Sequence, residues 1–154
     1  MRRVTSILAA LVIAATTALA GPASASPIER GKRAKVEWVR VDVPEGPTAA
    51  KLTKTLKDAL KQATKRADFG KTAGTVALTA KVVEMRTEQH GDVLRVTCTI
   101  VGHVAKGQGA KSRISYGGSP DKRDELEKQV LTMVANGLVA RLAQIVRTTA
   151  PKVR

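Results

Sequence analysis

The sequence predicts a single α+β domain with the element order βαβββα, in which a mainly antiparallel sheet carries both helices on one face. Four segments have apolar residues at alternate positions, as half-buried strands do, and one segment has them at helical spacing. A last segment begins with a helix start signal and continues as a long apolar run. Packing both helices against one face of the sheet would bury the apolar residues of all these elements.

The first predicted strand covers residues 35–43, and the first predicted helix covers residues 48–68. Val39, Val41 and Val43 alternate with charged residues, which places them together on one side of the strand. A Pro-Glu-Gly-Pro sequence then ends the strand before the helix begins.

One face of this first helix is apolar and the opposite face is cationic. The apolar face comprises Leu52, Leu56, Ala59, Leu60, Ala63 and Ala67. The cationic face, called the lysine face below, comprises Lys51, Lys54, Lys57, Lys61 and Lys65. Gly70 follows the helix at a position where a positive φ is needed.

A β-hairpin with long arms is the clearest tertiary signal in the chain. Residues 76–86 and 93–103 alternate in apolar character on either side of a turn at 89–92. A second turn, at 106–109, leads to a weaker third strand over 112–116. These strands supply most of the predicted sheet.

The last predicted helix begins at Ser119 and runs to about Arg147. Ser119 is a suitable cap, a proline follows it, and acidic residues lie in the first turn, near the positive end of the helix dipole. Polar residues interrupt the apolar run of 130–146. We therefore expect a helix buried across the sheet, or one that offers a surface to a partner, and not a membrane span.

The amino terminus has the three parts of a secretory signal peptide. Arg2 and Arg3 give a positive start, residues 7–15 are apolar, and small-residue cleavage patterns end at Ala20 and Ala25. The apolar run is shorter than the roughly 20 residues that a membrane-spanning helix needs. We therefore expect an exported protein, periplasmic or secreted, with no transmembrane segment after processing.

The predicted organisation has four parts. Residues 1–25 form the cleaved signal peptide, 26–34 a basic flexible lead, 35–147 the single α+β domain and 148–154 a basic tail. Loss of the signal lowers the net charge from +14 to about +12, and such an excess favours anionic partners. The same charge would also keep an exported protein soluble.

The sequence offers little material for catalysis, and we expect neither an enzyme nor a cofactor. His90 and His103 have no Cys or acidic residue at ligand spacing, so no metal site is expected. Carboxylates in the hairpin beside Arg86 and Arg95 are interpreted as exposed cross-strand ion partners. The lone Cys98 cannot form an intramolecular disulfide, and its position among apolar strand residues predicts burial.

The lysine face is the candidate binding site. A row of flexible charges about 5–6 Å apart suits the repeated charges of a polyanion. The alternative is that these lysines are only the hydrated side of an amphipathic helix.

The hairpin arms Val76–Arg86 and Val93–His103, the second glycine turn and the apolar helix Leu126–Val146 carry a resemblance of layout. With an export signal, this order resembles small accessory proteins of the bacterial envelope. It is most similar to the lipopolysaccharide-assembly lipoprotein of the outer-membrane translocon and to the amino-terminal domain of the Tol-Pal translocation protein. Members of the lipoprotein group carry an acylated cysteine, and this chain has none near its cleavage patterns. The resemblance implies a non-enzymatic scaffold or adaptor in the periplasm.

Two functions remain open, with an unrecognised hydrolase as a third alternative. The first is an exported, non-enzymatic binding or accessory protein of the bacterial cell envelope, whose partner is an envelope protein. The second is a secreted protein that binds an anionic polymer (an acidic glycan, lipopolysaccharide or nucleic acid) through the lysine face.

Overall fold

The computed structural model of the chain describes residues 34–71, 74–105 and 107–149. It has the predicted order βαβββα, with a short 3-10 helix before the last element. The elements are β1 (Lys35–Asp42), α1 (Ala49–Arg66), β2 (Thr75–His90), β3 (Val93–Val104), β4 (Gly109–Gly118), the 3-10 helix (Pro120–Lys122) and α2 (Arg123–Thr149). The predicted signal peptide, nearly all of the lead and the last five residues of the tail lie outside the described residues.

The four strands form one sheet in the order β1-β2-β3-β4. β1 and β2 are parallel, and α1 is the crossover between them, as parallel neighbours require. The pairs β2–β3 and β3–β4 are antiparallel. The prediction of an α+β fold with a mainly antiparallel sheet is confirmed.

Two β-bulges interrupt the register of the sheet. The β1–β2 register shifts between Trp38 and Arg40, and the β2–β3 register shifts between Val82 and Glu84. The inserted residues, Val39 and Val83, are 66% and 57% exposed. The prediction that Val39 shares a side with the next two alternating valines is therefore wrong, because a bulge inserts a residue and changes the alternation.

Both helices pack on the same face of the sheet and build an aliphatic core with it. α1 buries Leu56, Ala59, Leu60 and Ala63. α2 buries ten residues along its length, beginning with Leu126 and ending with Val146. The predicted placement of both helices on one face is confirmed.

Glycine lets α2 approach the sheet closely. A Cβ added to Gly102 of β3 would lie 3.0 Å from a methyl group of Leu138 and 3.1 Å from one of Leu142. The strand residue must therefore be small for the leucines of α2 to pack directly on the sheet.

The two predicted helix-terminal residues lie close to helix ends, but neither forms the expected cap. The φ of Gly70 is positive, as predicted, and measures 78°. However, α1 already ends at Arg66, and Ala67, the residue that caps the helix, has an extended backbone. Ser119 precedes the 3-10 helix and makes no capping hydrogen bond through its side chain.

The segment Pro120–Thr149 is long and apolar enough to cross a membrane by length and composition. Half of its most apolar window is buried inside the domain. Core helices of globular domains commonly meet the same criterion, and α2 is such a helix here.

Candidate binding surfaces

The structure places all five residues of the lysine face on the solvent side of α1. On the opposite side, Leu56 and Leu60 are fully buried in the core. Burial of these leucines fixes the rotation of the helix about its axis, because turning it would expose them. The predicted geometry of the face is therefore confirmed, and its binding role stays a prediction.

Lys51 differs from the other four lysines because it bonds to the second helix. Its Nζ lies 2.9 Å from Oδ2 of Asp124, near the start of α2. This hydrogen bond, and then the charge of Lys51, hold the pKa of Asp124 below its ordinary value. Lys51 thus joins the amino-terminal ends of the two helices.

The other four lysines project freely within the described part of the chain. Lys54, Lys57, Lys61 and Lys65 take part in no ion pair among the described residues. Asp58 is the one acidic residue of α1. A helical surface with four unpaired ammonium groups can contact several anionic groups of one polymer at once.

The cationic surface continues onto α2. A shallow groove of about 240 Å³ separates the helices and is lined by Lys54 and Asp58 of α1 and by Lys128 of α2. Lys128 is exposed. The sequence alone did not predict this extension, because only the packing of the two helices brings Lys54 and Lys128 to one groove.

The carboxylates of the hairpin form ion pairs, but along one strand. Arg86 lies 3.8 Å from Glu84 and 3.3 Å from Glu88, and all three residues belong to β2. The expected cross-strand pairing is therefore wrong for these groups. Residues at i and i+2 share one face of a strand, which is what brings these charges together.

The two histidines lie apart, in different environments. His90 ends β2, where its Nε2 is 3.6 Å from a Glu88 oxygen. His103 lies near the end of β3, opposite Gly109 of β4. Within the described ranges, no group of three or more His, Cys, Asp or Glu residues is arranged to hold a metal ion.

Cys98 is fully buried, as predicted. Burial, and secondarily the charge of Glu84, raise the pKa of its thiol to about 12. The thiolate is the nucleophilic form of cysteine, so this thiol is held in its unreactive form at neutral pH.

The face of the sheet opposite the helices is open among the described residues and was not part of the predicted site. A shallow groove of about 710 Å³ lies on it near the two bulges. Its lining includes Arg40, Lys81, Val83, Val101 and His103. These residues alternate with core residues in the sequence, but their grouping depends on strand order and on the register shifts.

No family model matches the chain, and a search of the curated proteins gave no match. Solved structures with a similar fold include the hypothetical protein CT253 of Chlamydia trachomatis, with a TM-score of 0.48 and 11% identity over 76% of this chain and 100% of the other. A candidate lipoprotein of Caulobacter crescentus CB15 has a TM-score of 0.43 and 14% identity over 73% of this chain and 88% of the other. A minor lipoprotein of Acinetobacter baumannii has a TM-score of 0.35 and 16% identity over 71% of this chain and 93% of the other.

Two of these structural neighbours are thus lipoproteins by name. Membership of either family named for the envelope resemblance is not shown. At these TM-scores and identities, the likeness carries no argument about what this chain binds.

Proposed function

We propose that the chain is an exported, non-enzymatic binding or accessory protein of the bacterial cell envelope, periplasmic or secreted. The signal-peptide pattern of its first 25 residues supports export. The single structural observation that carries the binding role is the division of the sheet into a covered and an uncovered face. Both helices pack on one face, and no described element covers the other.

The states of the reactive side chains support binding over catalysis. Glu84 and Glu88 are held by Arg86, and the thiol of Cys98 is protonated within the core. Attack by a cysteine requires its thiolate form, which the burial of Cys98 opposes. Exposed, regular surfaces suit recognition of a partner better than they suit such chemistry.

A second function, binding of an anionic polymer, is favoured by one specific observation. Lys54, Lys57, Lys61 and Lys65 are exposed, and none forms an ion pair within the described residues. Such lysines can exchange bound counterions for phosphate, sulfate or carboxylate groups.

Capture of partners from envelope extract at two salt concentrations tests both functions. The purified protein, immobilised on beads, is incubated with extract at about 50 mM and about 500 mM salt, so that the Debye length shrinks several-fold. A protein partner retained at both concentrations supports the accessory function. Anionic polymer bound at low salt only supports the second function, and capture of nothing above uncoupled beads contradicts both.

A further inference from the structure

The outer edge of β4 is the strongest unexplained feature of the fold. β4 ends the strand order and pairs with β3 alone, so no described strand bonds to its other side. It is ten residues long, Gly109–Gly118, and its pairing with β3 has no register shift. A long and regular strand edge presents backbone groups that can pair with another extended chain.

One hydrogen bond at the β3–β4 turn establishes which β4 residues face this edge. The amide of Val104 donates to the carbonyl of Gln108 at 3.3 Å, and this pair continues the β3–β4 register. In an antiparallel ladder, alternate residues bond to the neighbouring strand, and the residues between them point away. Counting from this pair, Arg113, Ser115 and Gly117 direct their N–H and C=O groups outward.

A contact from α2 agrees with this orientation. Nη1 of Arg141 donates a hydrogen bond to the backbone carbonyl of Lys111, which belongs to the same alternate set. Arg141 thus occupies one end of the edge. Among the described residues, no turn, loop or side-chain group bonds to the backbone of the other three residues.

The two sides of the edge differ in chemistry. Lys111 and Arg113 are exposed on the open face of the sheet, and Arg95 lies on the same face opposite Gly117. On the helix side of the strand, Tyr116 is 44% exposed, beside the half-buried Ile114. An added strand would therefore meet cations on one side and apolar groups on the other.

We propose that the β4 edge, defined as Arg113, Ser115 and Gly117, binds an extended segment of a partner protein in which acidic and apolar residues alternate. Backbone hydrogen bonds would supply most of the affinity, and alternate side chains would supply the specificity. A second copy of this chain fits less well, because a second β4 edge would add Lys111 and Arg113 to a face that is already cationic, and β4 has no acidic residue to pair with them. This inference rests on the proposed binding function and names its partner class.

A defined peptide tests the edge directly. The probe is a fluorescein-labelled peptide of eight residues in which Glu alternates with Val, titrated into the purified full-length chain and followed by fluorescence anisotropy. A peptide in which Lys alternates with Val is the charge control. Two further peptides carry N-methyl groups on one or the other alternate set of amides, so that one of them cannot donate to the edge.

Substitution of Ser115 separates the backbone from the side chain. Ser115→Pro removes an outward N–H without removing a bond to β3, because proline is tolerated where the amide of an edge strand faces solvent. Ser115→Ala is the matched control, since it keeps the N–H and loses only the hydroxyl, which contacts Thr97 at 2.9 Å. We expect about a tenfold loss of affinity in Ser115→Pro and less than about a twofold loss in Ser115→Ala.

The outcomes are distinguishable. Binding of the acidic peptide with shifts confined to the amides of residues 113, 115 and 117 in NMR spectra supports the proposal, as does loss of affinity with one N-methylated peptide. Equal affinity for both N-methylated peptides, or no acidic-peptide binding, overturns it, and this holds even if Ser115→Pro does not fold. If the peptide experiments overturn the β4 edge but a salt-resistant partner is captured from extract, the proposed binding function stands and the partner binds elsewhere on the protein.

Discussion

Nε1 of Trp38 donates a hydrogen bond of 3.0 Å to Oγ1 of Thr64, which ties β1 to α1. The same hydroxyl donates to the backbone carbonyl of Leu60 at 2.7 Å, so it is donor and acceptor at once. Trp38 is the only tryptophan of the chain and is half buried. An indole N–H in such a position needs a partner, and Thr64 supplies it.

Thr64→Val should therefore lower the free energy of unfolding by about 1 kcal/mol, because valine keeps the branched shape but cannot accept the indole hydrogen bond. Urea denaturation followed by Trp38 fluorescence measures the change. Thr53→Val is the control, since among the described residues its hydroxyl bonds only to the carbonyl of Ala49 in the same helix. Equal losses in the two variants would show that the bond to Trp38 contributes nothing measurable.

Gly102→Ala should destabilise the domain by about 1–3 kcal/mol, as overpacking of a close interface does. The added Cβ would lie 3.0 Å from both the carbonyl of Thr79 and a methyl group of Leu138. Gly46→Ala is the control, because nothing lies within 4 Å of its added Cβ. Thermal unfolding measures the effect, and we expect a lower transition temperature for Gly102→Ala than for Gly46→Ala. Equal transition temperatures would mean that α2 can move away from the sheet to admit the added methyl group.

Cys98 should react with a thiol reagent much more slowly in the native protein than in denaturant. Its side chain is fully buried, and its pKa is raised to about 12. Labelling at pH 8, followed by absorbance, measures both rates. Equal rates would place Cys98 on the solvent side of β3.

The raised pKa of Cys98 also predicts a pH dependence of stability. In the unfolded chain the thiol loses its proton near its ordinary value of 9.0, whereas the folded state keeps it to about 12. Stability should therefore be unaffected by this group below pH 9 and should fall as the pH rises through 9 towards 12. The difference between wild type and Cys98→Ala, measured by urea denaturation across this range, isolates the contribution of Cys98 from that of the lysines. An unchanged difference would contradict the raised pKa.

The sequence predicted those parts of the fold in which a repeating pattern and one-sided burial coincide. Leu94, Val96, Cys98 and Ile100 alternate in the sequence and are all buried. The helical spacing of Leu56 and Leu60 likewise placed the lysine face toward solvent. In these segments, the choice of buried face is decided locally.

Features that depend on the pairing of distant segments were not predictable in this way. The inserted Val39 breaks an alternation that looks regular in the sequence, because the bulge is a property of the β1–β2 pair. The bond between Lys51 and Asp124 arises only from the packing of α1 on α2. The β4 edge required the strand order, which a pattern within one strand does not contain.

The mature protein should begin near Gly21 or Ser26, directly after one of the two small-residue cleavage patterns. Intact-mass measurement on protein recovered from an exporting host identifies the site. Recovery of the full-length mass from the membrane fraction would contradict cleavage and the expectation of a soluble exported protein.

The last prediction separates a functional lysine face from a merely hydrated one. Replacing Lys57, Lys61 and Lys65 with glutamine removes three exposed charges and nearly preserves helix propensity. A matched triple variant replaces Lys35, Lys71 and Lys81, which are exposed outside α1. Each substitution should change the free energy of unfolding by no more than about 0.5 kcal/mol, as at ordinary surface positions.

If the face binds polyanions, the first variant should bind heparin more weakly, and its salt dependence should lose about one unit of slope for each lost contact. The matched variant loses the same net charge from positions outside α1. Its heparin affinity should therefore keep most of its salt dependence if the contacts with heparin are concentrated on α1. Equal weakening of both variants would indicate attraction by net charge alone. Full affinity and slope in the first variant would make the face a hydrated surface, because counterion release follows contacts and not distant charge. Capture of a protein partner at high salt should be unaltered in the first variant, since a contact that survives screening does not depend on the lysines of α1.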